Sequence, residues 1–225
     1  MFGSVARHEA TDKSDLDVKV VIDHDSCGNI NHPFIDGIKL DVSFGSFKQL
    51  EDMMDRQANK NERVPMIAES IILFDKTGKL REFKKRYQQV RPKKYTKADH
   101  QIIKFMAFHA NDKIEKNLEK NEALALLGMH LNLNDIIKMH YQIRGRWYLG
   151  AKRIFEDLNE WDRPLSKLLR VYVLEKDTNK KFKVWTKMVD HVLEPVGGRQ
   201  NIRENNCTCA DCKRDLMAIT RFSIN

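Results

Sequence analysis

The chain has 225 residues, of which 41% are hydrophobic and 32% charged, and its 40 Lys and Arg against 32 Asp and Glu give a formal net charge of +8. This composition excludes collagen-like, low-complexity and wholly disordered proteins, and no apolar run reaches the roughly 20 residues of a membrane-spanning helix. The chain does not open on a basic stretch followed by an apolar one, so we expect a cytoplasmic protein with no membrane partner. The positive charge is compatible with polyanionic ligands, nucleotides among them.

The first third of the sequence predicts an α/β unit. Apolar and polar residues alternate over 15–23 and again over 38–43, which indicates two strands with Leu16, Val18 and Val20 pointing inward. A helix is predicted over 47–57, and a short buried strand over 70–75, followed by a turn at Gly78.

From Leu80 onward, apolar residues recur three and four positions apart, which is typical of helices. Thr96 and Asp99 form a predicted capping box, and Asp162 ahead of Pro164 is a predicted N-cap. The further helices are predicted over 122–131, 135–158, 164–174 and 180–193.

The predicted fold class is therefore α+β, with a small mixed-sheet domain followed by an all-helical bundle. We expect the first domain over 1–90, the bundle over 96–198 and a polar tail over 199–225. Residues 88–97 are basic, contain Pro92 and form the predicted connector.

Three carboxylates stand out in the predicted sheet. Asp15 and Asp17 point to the same face of one strand, about 7 Å apart, and Asp41 joins them if the second strand lies beside the first. Unpaired carboxylates raise one another's pKa and so favour a bound cation, for which Mg²⁺ or Mn²⁺ is the natural choice because it prefers carboxylate and phosphate oxygens. The alternative is an ordinary solvated strand face, where acidic residues are common.

A predicted phosphate-binding element precedes these acids. Gly3 and Ser4 can bring backbone N–H groups close to a phosphate, ahead of a short helix predicted over 5–10.

The ordered set Gly3-Ser4, Ala6-Arg7, Ser14-Asp15-Leu16-Asp17 and Leu40-Asp41-Val42 resembles the nucleotidyltransferase superfamily, which includes antibiotic nucleotidyltransferases and poly(A) and tRNA-tailing enzymes. The stretch from Gly3 to Val18 is similar to the small bacterial branch, and Ile72-Leu73-Phe74-Asp75 with Gly78 resembles the strand that follows there.

The resemblance implies a role for each matching residue. Asp15 and Asp17 would ligate Mg²⁺ or Mn²⁺, and Asp41 would complete the metal site or serve as the base. The implied nucleotide-binding residues are Gly3, Ser4, Arg7, Ser14 and Lys39.

The sequence departs from the family pattern in two places. His8 stands where the family usually has Gly, and the helix and strand that relatives carry ahead of Phe2 are absent. We therefore expect an N-terminally short domain: a truncated product, a misassigned start, or a chain whose helical half covers the gap.

The resemblance implies a metal-dependent nucleotidyltransferase. It would transfer a nucleoside monophosphate from an NTP to a hydroxyl of a small molecule or macromolecule and release pyrophosphate. The alternatives are a non-catalytic or antitoxin-like protein of the same fold and an RNA-tailing enzyme, whose nucleic-acid partner would meet the basic runs over 84–86 and 91–94. A homodimer is compatible with either.

Other polar residues of the second half have weaker signals. Cys207, Cys209 and Cys212 are candidate zinc ligands, with His191 as a candidate fourth, whereas reduced packing or surface thiols are the alternative. His140 lacks metal-ligand spacing, so we expect it to be a packing or surface residue.

Overall fold

A computed structural model of the chain describes residues 1–24 and 30–199. It confirms the predicted α+β class, because a small mixed sheet with short helices comes first and a helical bundle follows. Most of the predicted tail over 199–225, with its three cysteines, lies outside the described residues. Within the described ranges, no helix combines the length and apolarity needed to cross a bilayer.

The sheet is organised around its longest strand. This strand, β4 (Ile38–Ser46), pairs in parallel with β1 (Leu16–Ile22) on one side. Two short antiparallel strands, β2 (Ile30–Asn31) and β3 (Phe34–Ile35), also pair with β4. The two predicted strands are thus confirmed, and the observed β4 runs three residues further than predicted.

The helices of the first half are α1 (Gly3–Ala6), α2 (Phe47–Asn59), α3 (Pro65–Glu69) and α4 (Lys79–Gln89). A complete capping box starts α2, in which the Ser46 side chain accepts from the Gln49 backbone and the Gln49 side chain accepts in return. The helix predicted over 5–10 is wrong, because α1 begins at Gly3 and His8 adopts a φ of +61°, which no right-handed helix can include.

The short buried strand predicted over 70–75 is also wrong. Ile71 exchanges two backbone hydrogen bonds with Met1, of 2.8 and 2.9 Å, but the segment forms no ladder, and Leu73 and Phe74 are exposed. An extended segment becomes a strand only when it has a neighbour to pair with along its length. Between this segment and β1 lies an apolar cavity of about 240 Å³.

The apolar core of the first half lies between α2 and α4. Its buried members are Leu50, Met54, Val64, Phe83 and Tyr87. From β1, Val21 packs against this cluster, whereas Leu16, Val18 and Val20, which alternation predicts to point inward, are only half-buried. Val21 is half-buried as well, so no residue of β1 is fully buried.

The second half is a bundle of α5 (Lys97–Leu118), α6 (Glu122–Ile143), α7 (Ile154–Trp161), α8 (Arg163–Leu174) and α9 (Thr178–Leu193). Its core is centred on Trp185, Tyr141, Tyr172, Met129 and Leu165, all nearly inaccessible to solvent. The predicted capping box of Thr96 with Asp99 and the predicted N-cap Asp162 are both confirmed.

The helices predicted over 122–131 and 135–158 are wrong as separate units. One continuous helix, α6, covers the predicted break, where the Asn132 side chain donates to the Gly128 carbonyl oxygen at 2.8 Å instead of interrupting the helix. The helix ends before Gly145, whose φ of +59° favours glycine, and a short turn at Ala151–Arg153 leads into α7.

The two halves meet around Asn61, which is fully buried. The Asn61 backbone oxygen accepts from the Tyr148 backbone at 2.8 Å, and the Tyr148 oxygen accepts from the Arg63 backbone at 3.0 Å. The Asn61 side chain clamps the connector, donating to the Lys93 oxygen at 2.9 Å and accepting from the Lys93 N–H at 2.6 Å. The Asn61 side chain therefore ties the first half to the connector, and the backbones of Asn61 and Arg63 tie it to Tyr148.

Replacing Asn61 with Ala should weaken this junction. The change removes both side-chain hydrogen bonds to Lys93 and places Ala at a φ of +56°, so we expect the free energy of unfolding to fall by about 2 kcal/mol or more. Urea unfolding followed by circular dichroism measures the change. Asn117→Ala, which removes one side-chain bond within α5, is the control and should cost clearly less. Equal losses of unfolding free energy in Asn61→Ala and Asn117→Ala would contradict the special role of Asn61 at the junction.

Candidate functional site

The three predicted acids meet on one face of the sheet. The parallel register places Asp17 directly opposite Asp41, and Asp15 immediately precedes β1 on the same side as Asp17. All three residues are half-buried. The structure therefore brings Asp15, Asp17 and Asp41 together, as alternation predicts.

Gly3 lies directly against the Asp17 carboxylate. The Phe2 backbone donates to the Asp17 carbonyl oxygen at 3.0 Å, and Gly3 follows with a φ of +76°. A methyl group on Gly3 would overlap Asp17 Oδ2. Glycine is required here both by its conformation and by the close approach of the carboxylate.

The Asp17 carboxyl group has a pKa raised above its usual value. Burial is the largest cause, and repulsion from Asp15 and Asp41 adds to it. The positive charges of Lys152 and Arg7 oppose the shift without cancelling it. The protonated form of Asp17 is therefore favoured in the folded protein relative to a carboxyl group in water.

Several basic side chains surround the carboxylates. Lys39 Nζ lies 3.9 Å from Asp15 Oδ2, and His32 Nδ1 lies 3.5 Å from Asp41 Oδ1. The Arg7 guanidinium is engaged elsewhere as well, at 2.7 Å from Glu9 and 3.9 Å from Glu69.

Sequence reasoning missed His32 and Lys152. Lys152 reaches the site from the turn at the start of α7, so only the packing of the bundle on the sheet domain places it there. His32 lies in the segment between the two long strands, where no residue spacing marks it. No sequence signal could have found either residue.

The predicted nucleotide-binding serines differ in their surroundings. Ser4 follows Gly3 in α1, and its carbonyl oxygen accepts from the Arg7 and Glu9 backbones. The Ser14 hydroxyl accepts from the Thr11 backbone at 2.9 Å, so it shapes the turn before β1. Ser14 also lines a cavity of about 590 Å³ together with Leu16 and Ile38, and the phosphate contacts of both serines stay predictions.

The substitution at His8 is accommodated without loss of the turn. His8 has a φ of +61°, in the left-handed region that glycine favours, so the backbone conformation fits a position usually occupied by Gly. A non-glycine residue there costs about 1 kcal/mol.

Trp147 and Tyr148, at the junction of the two halves, pack against the two apolar cores. Tyr148 is 4% exposed and belongs to the bundle core, while Trp147 packs on the core of the first half. Trp147 also lines a second cavity of about 480 Å³ with Arg144, Arg146 and Trp161.

Comparisons with known proteins find similarity to solved structures. No protein-family model and no curated protein matches the chain. A solved structure, a nucleotidyltransferase-like protein from Exiguobacterium sibiricum 255-15, is similar over 75% of this chain, at 15% identity and a TM-score of 0.44. The match covers 57% of that protein's chain.

Neutralising Asp17 should stabilise the fold in a pH-dependent way. A raised native pKa means that the native state favours the protonated carboxyl group, so this group's contribution to stability is lost as the pH rises through its native pKa. We therefore expect Asp17→Asn to increase the free energy of unfolding at neutral pH, by under about 1 kcal/mol because solvent screens the half-buried group.

This increase in the free energy of unfolding should disappear at about pH 3, where Asp17 is mostly protonated in both the folded and unfolded states. Urea unfolding at both pH values measures it. Asp12→Asn, at an exposed position with the same change in charge, is the control. A destabilised Asp17→Asn at neutral pH would contradict the electrostatic account.

Proposed function

We propose that this protein is a metal-dependent nucleotidyltransferase that transfers a nucleoside monophosphate from an NTP to a hydroxyl group. The observation that carries the proposal is the convergence of Asp15, Asp17 and Asp41 on one half-open sheet face, with Gly3 packed against the central carboxylate. An ordinary solvated strand face offers no reason for a glycine at a positive φ to press on an acid whose pKa is already raised.

The side chains present fit Mg²⁺ or Mn²⁺. The donor set consists of carboxylate oxygens on an accessible face, which suits a hard cation that keeps water and phosphate oxygens as further ligands. Asp15, Asp17 and Asp41 would hold the ion. Bound there, it would neutralise developing charge on the phosphate under attack.

The chain's own residues would position the substrates. Lys39, Arg7 and Lys152 supply positive charge around the carboxylates, where an NTP triphosphate would lie. The acceptor hydroxyl oxygen would attack the α-phosphorus while its proton passes to an oxygen of Asp41, whose side chain is 39% exposed. The bond from the α-phosphorus to the bridging oxygen then breaks, and pyrophosphate leaves in line.

The basic runs are partly engaged within the protein. Lys84 donates to the Ser70 carbonyl oxygen at 2.5 Å, Arg86 to Glu51 at 2.7 Å, and the Lys93 ammonium lies 4.9 Å from the Tyr95 ring centroid. These cations hold the connector and α4 in place, whereas Lys85, Arg91 and Lys94 of the same runs are exposed. An RNA acceptor would contact the exposed cations, whereas a small hydroxylated acceptor would not.

The activity is tested by incubating the full chain with each labelled NTP, Mg²⁺ and cell extract, and identifying the molecule that becomes labelled. We expect Asp15→Asn and Asp17→Asn each to lower the Mg²⁺-dependent transfer rate by at least about 100-fold while the protein stays folded. Asp12→Asn is the matched control and should keep the wild-type rate. Wild-type rates in both site variants would refute the assignment.

A second test addresses Gly3 without removing a carboxylate. In Gly3→Ala the new methyl group must displace the Asp17 carboxylate, so we expect Mg²⁺ affinity, measured by calorimetry, to fall by about tenfold or more. Gly78→Ala is the control, because Gly78 has a φ of +79° but open space around it. Both variants carry the same backbone strain, so an equal loss of Mg²⁺ affinity would attribute the effect to strain and contradict the proposed contact.

A further inference from the structure

Three residues that are far apart in the chain converge inside the helical bundle. His140 comes from α6, Asp162 from the junction of α7 with α8, and His191 from α9. One ligand atom of each lies within 4.8 Å of the other two. Asp162 Oδ2 is 2.9 Å from His140 Nε2 and 2.8 Å from His191 Nε2, so both rings aim at the same carboxylate oxygen.

His140 is the anomaly in this cluster. Its side chain is fully buried, its Nε2 lies 2.9 Å from Asp162 Oδ2, and its Nδ1 has no hydrogen-bond partner. A buried polar atom left without a partner costs about 1–3 kcal/mol. The prediction of a packing residue therefore describes the His140 ring but does not explain why a buried imidazole is placed against a carboxylate.

The surroundings of His140 hold its ring in one orientation. The Trp161 ring stacks on it at 4.9 Å between centroids, with an angle of 19° between the planes. A neutral imidazole held in one orientation presents a nitrogen lone pair, which is the form that binds metal ions.

The Asp162 carboxylate is also held in one orientation by its neighbours. Its Oδ1 accepts from the Leu165 backbone at 3.0 Å as the N-cap of α8, which leaves Oδ2 directed at the two histidines. A second contact that orients a ligand in this way is a regular feature of metal sites.

The donor types and spacing fit one class of ion. Two imidazole nitrogens and one carboxylate oxygen suit Zn²⁺ and Co²⁺, whereas Mg²⁺ prefers oxygen ligands alone. In a tetrahedral zinc site adjacent ligand atoms lie about 3.3 Å apart, and the two separations from Asp162 Oδ2 need to open by only about half an ångström to reach this value.

We propose that His140, Asp162 and His191 form a binding site for a divalent ion of the zinc class within the helical bundle, with water as a further ligand. The ion would bind His140 Nε2, Asp162 Oδ2 and His191 Nε2 and would link α6, the start of α8 and α9. Arg144 donates to the carbonyl oxygens of His191 and Val192 at 3.0 and 3.1 Å, so its charge lies nearby and should make binding weaker than in a closed structural zinc site.

The experiment is a Co²⁺ titration of the metal-free full chain at neutral pH, in excess Mg²⁺ so that the acidic site is occupied. Because Cys207, Cys209 and Cys212 are alternative ligands, all three are replaced by Ser. We expect one Co²⁺ per chain, visible absorption bands typical of a tetrahedral or five-coordinate ion, and a higher midpoint of thermal unfolding.

Matched variants assign the ligands. His191→Ala, at a partly exposed position, and Asp162→Asn, which keeps an oxygen for the Leu165 N–H, should each weaken Co²⁺ binding at least about tenfold. His130→Ala, an exposed histidine also on α6, should leave it unchanged. Absence of Co²⁺ binding in the chain that carries only the three Cys→Ser substitutions would overturn the proposal. So would unchanged binding in His191→Ala when circular dichroism shows an intact fold.

Discussion

The parallel pairing of β1 with β4 is the constraint on which the acidic site depends. Its register sets Asp17 beside Asp41, so the sheet cannot form without bringing two like charges together. Like charges directly opposite each other destabilise a sheet. Burial raises the pKa of Asp17, and the charges of Asp15 and Asp41 raise it further. Under the proposed function, the bound cation would offset this repulsion.

The helical half is electrostatically part of this site. Lys152 lies in a turn that belongs to the bundle, and its positive charge opposes the rise in the pKa of Asp17. Arg153 beside it lies 3.5 Å from Glu69 of α3. The Asn61 clamp and the backbone pairing with Tyr148 fix the position of that turn relative to the sheet. Changes at the junction should therefore alter the charge balance around the carboxylates as well as the stability of the fold.

Local patterns were sufficient to predict elements but not their partners. Alternation predicted β1 and β4, and the Thr96 and Asp162 caps were predicted correctly, because each depends on residues close in sequence. The segment over 70–75 is apolar enough for a strand, yet it lacks a ladder in the described structure, which is a matter of tertiary pairing. Similarly, α6 continues through Asn132 because packing overrides weak local preference.

The same limit explains which site residues sequence reasoning could find. Asp15, Asp17 and Asp41 were accessible because strand geometry relates neighbouring positions by simple alternation. His140, Asp162 and His191 belong to separate helices, and no spacing relates them before the bundle is packed.

The two clusters also differ in the chemistry they offer. One presents only carboxylate oxygens on an open face, and the other presents mainly imidazole nitrogens inside the bundle. Ligand type discriminates hard from borderline cations more reliably than overall affinity does. The two proposals therefore assign Mg²⁺ to the sheet and a zinc-class ion to the bundle, because each ion would find its preferred donors at only one of these two clusters.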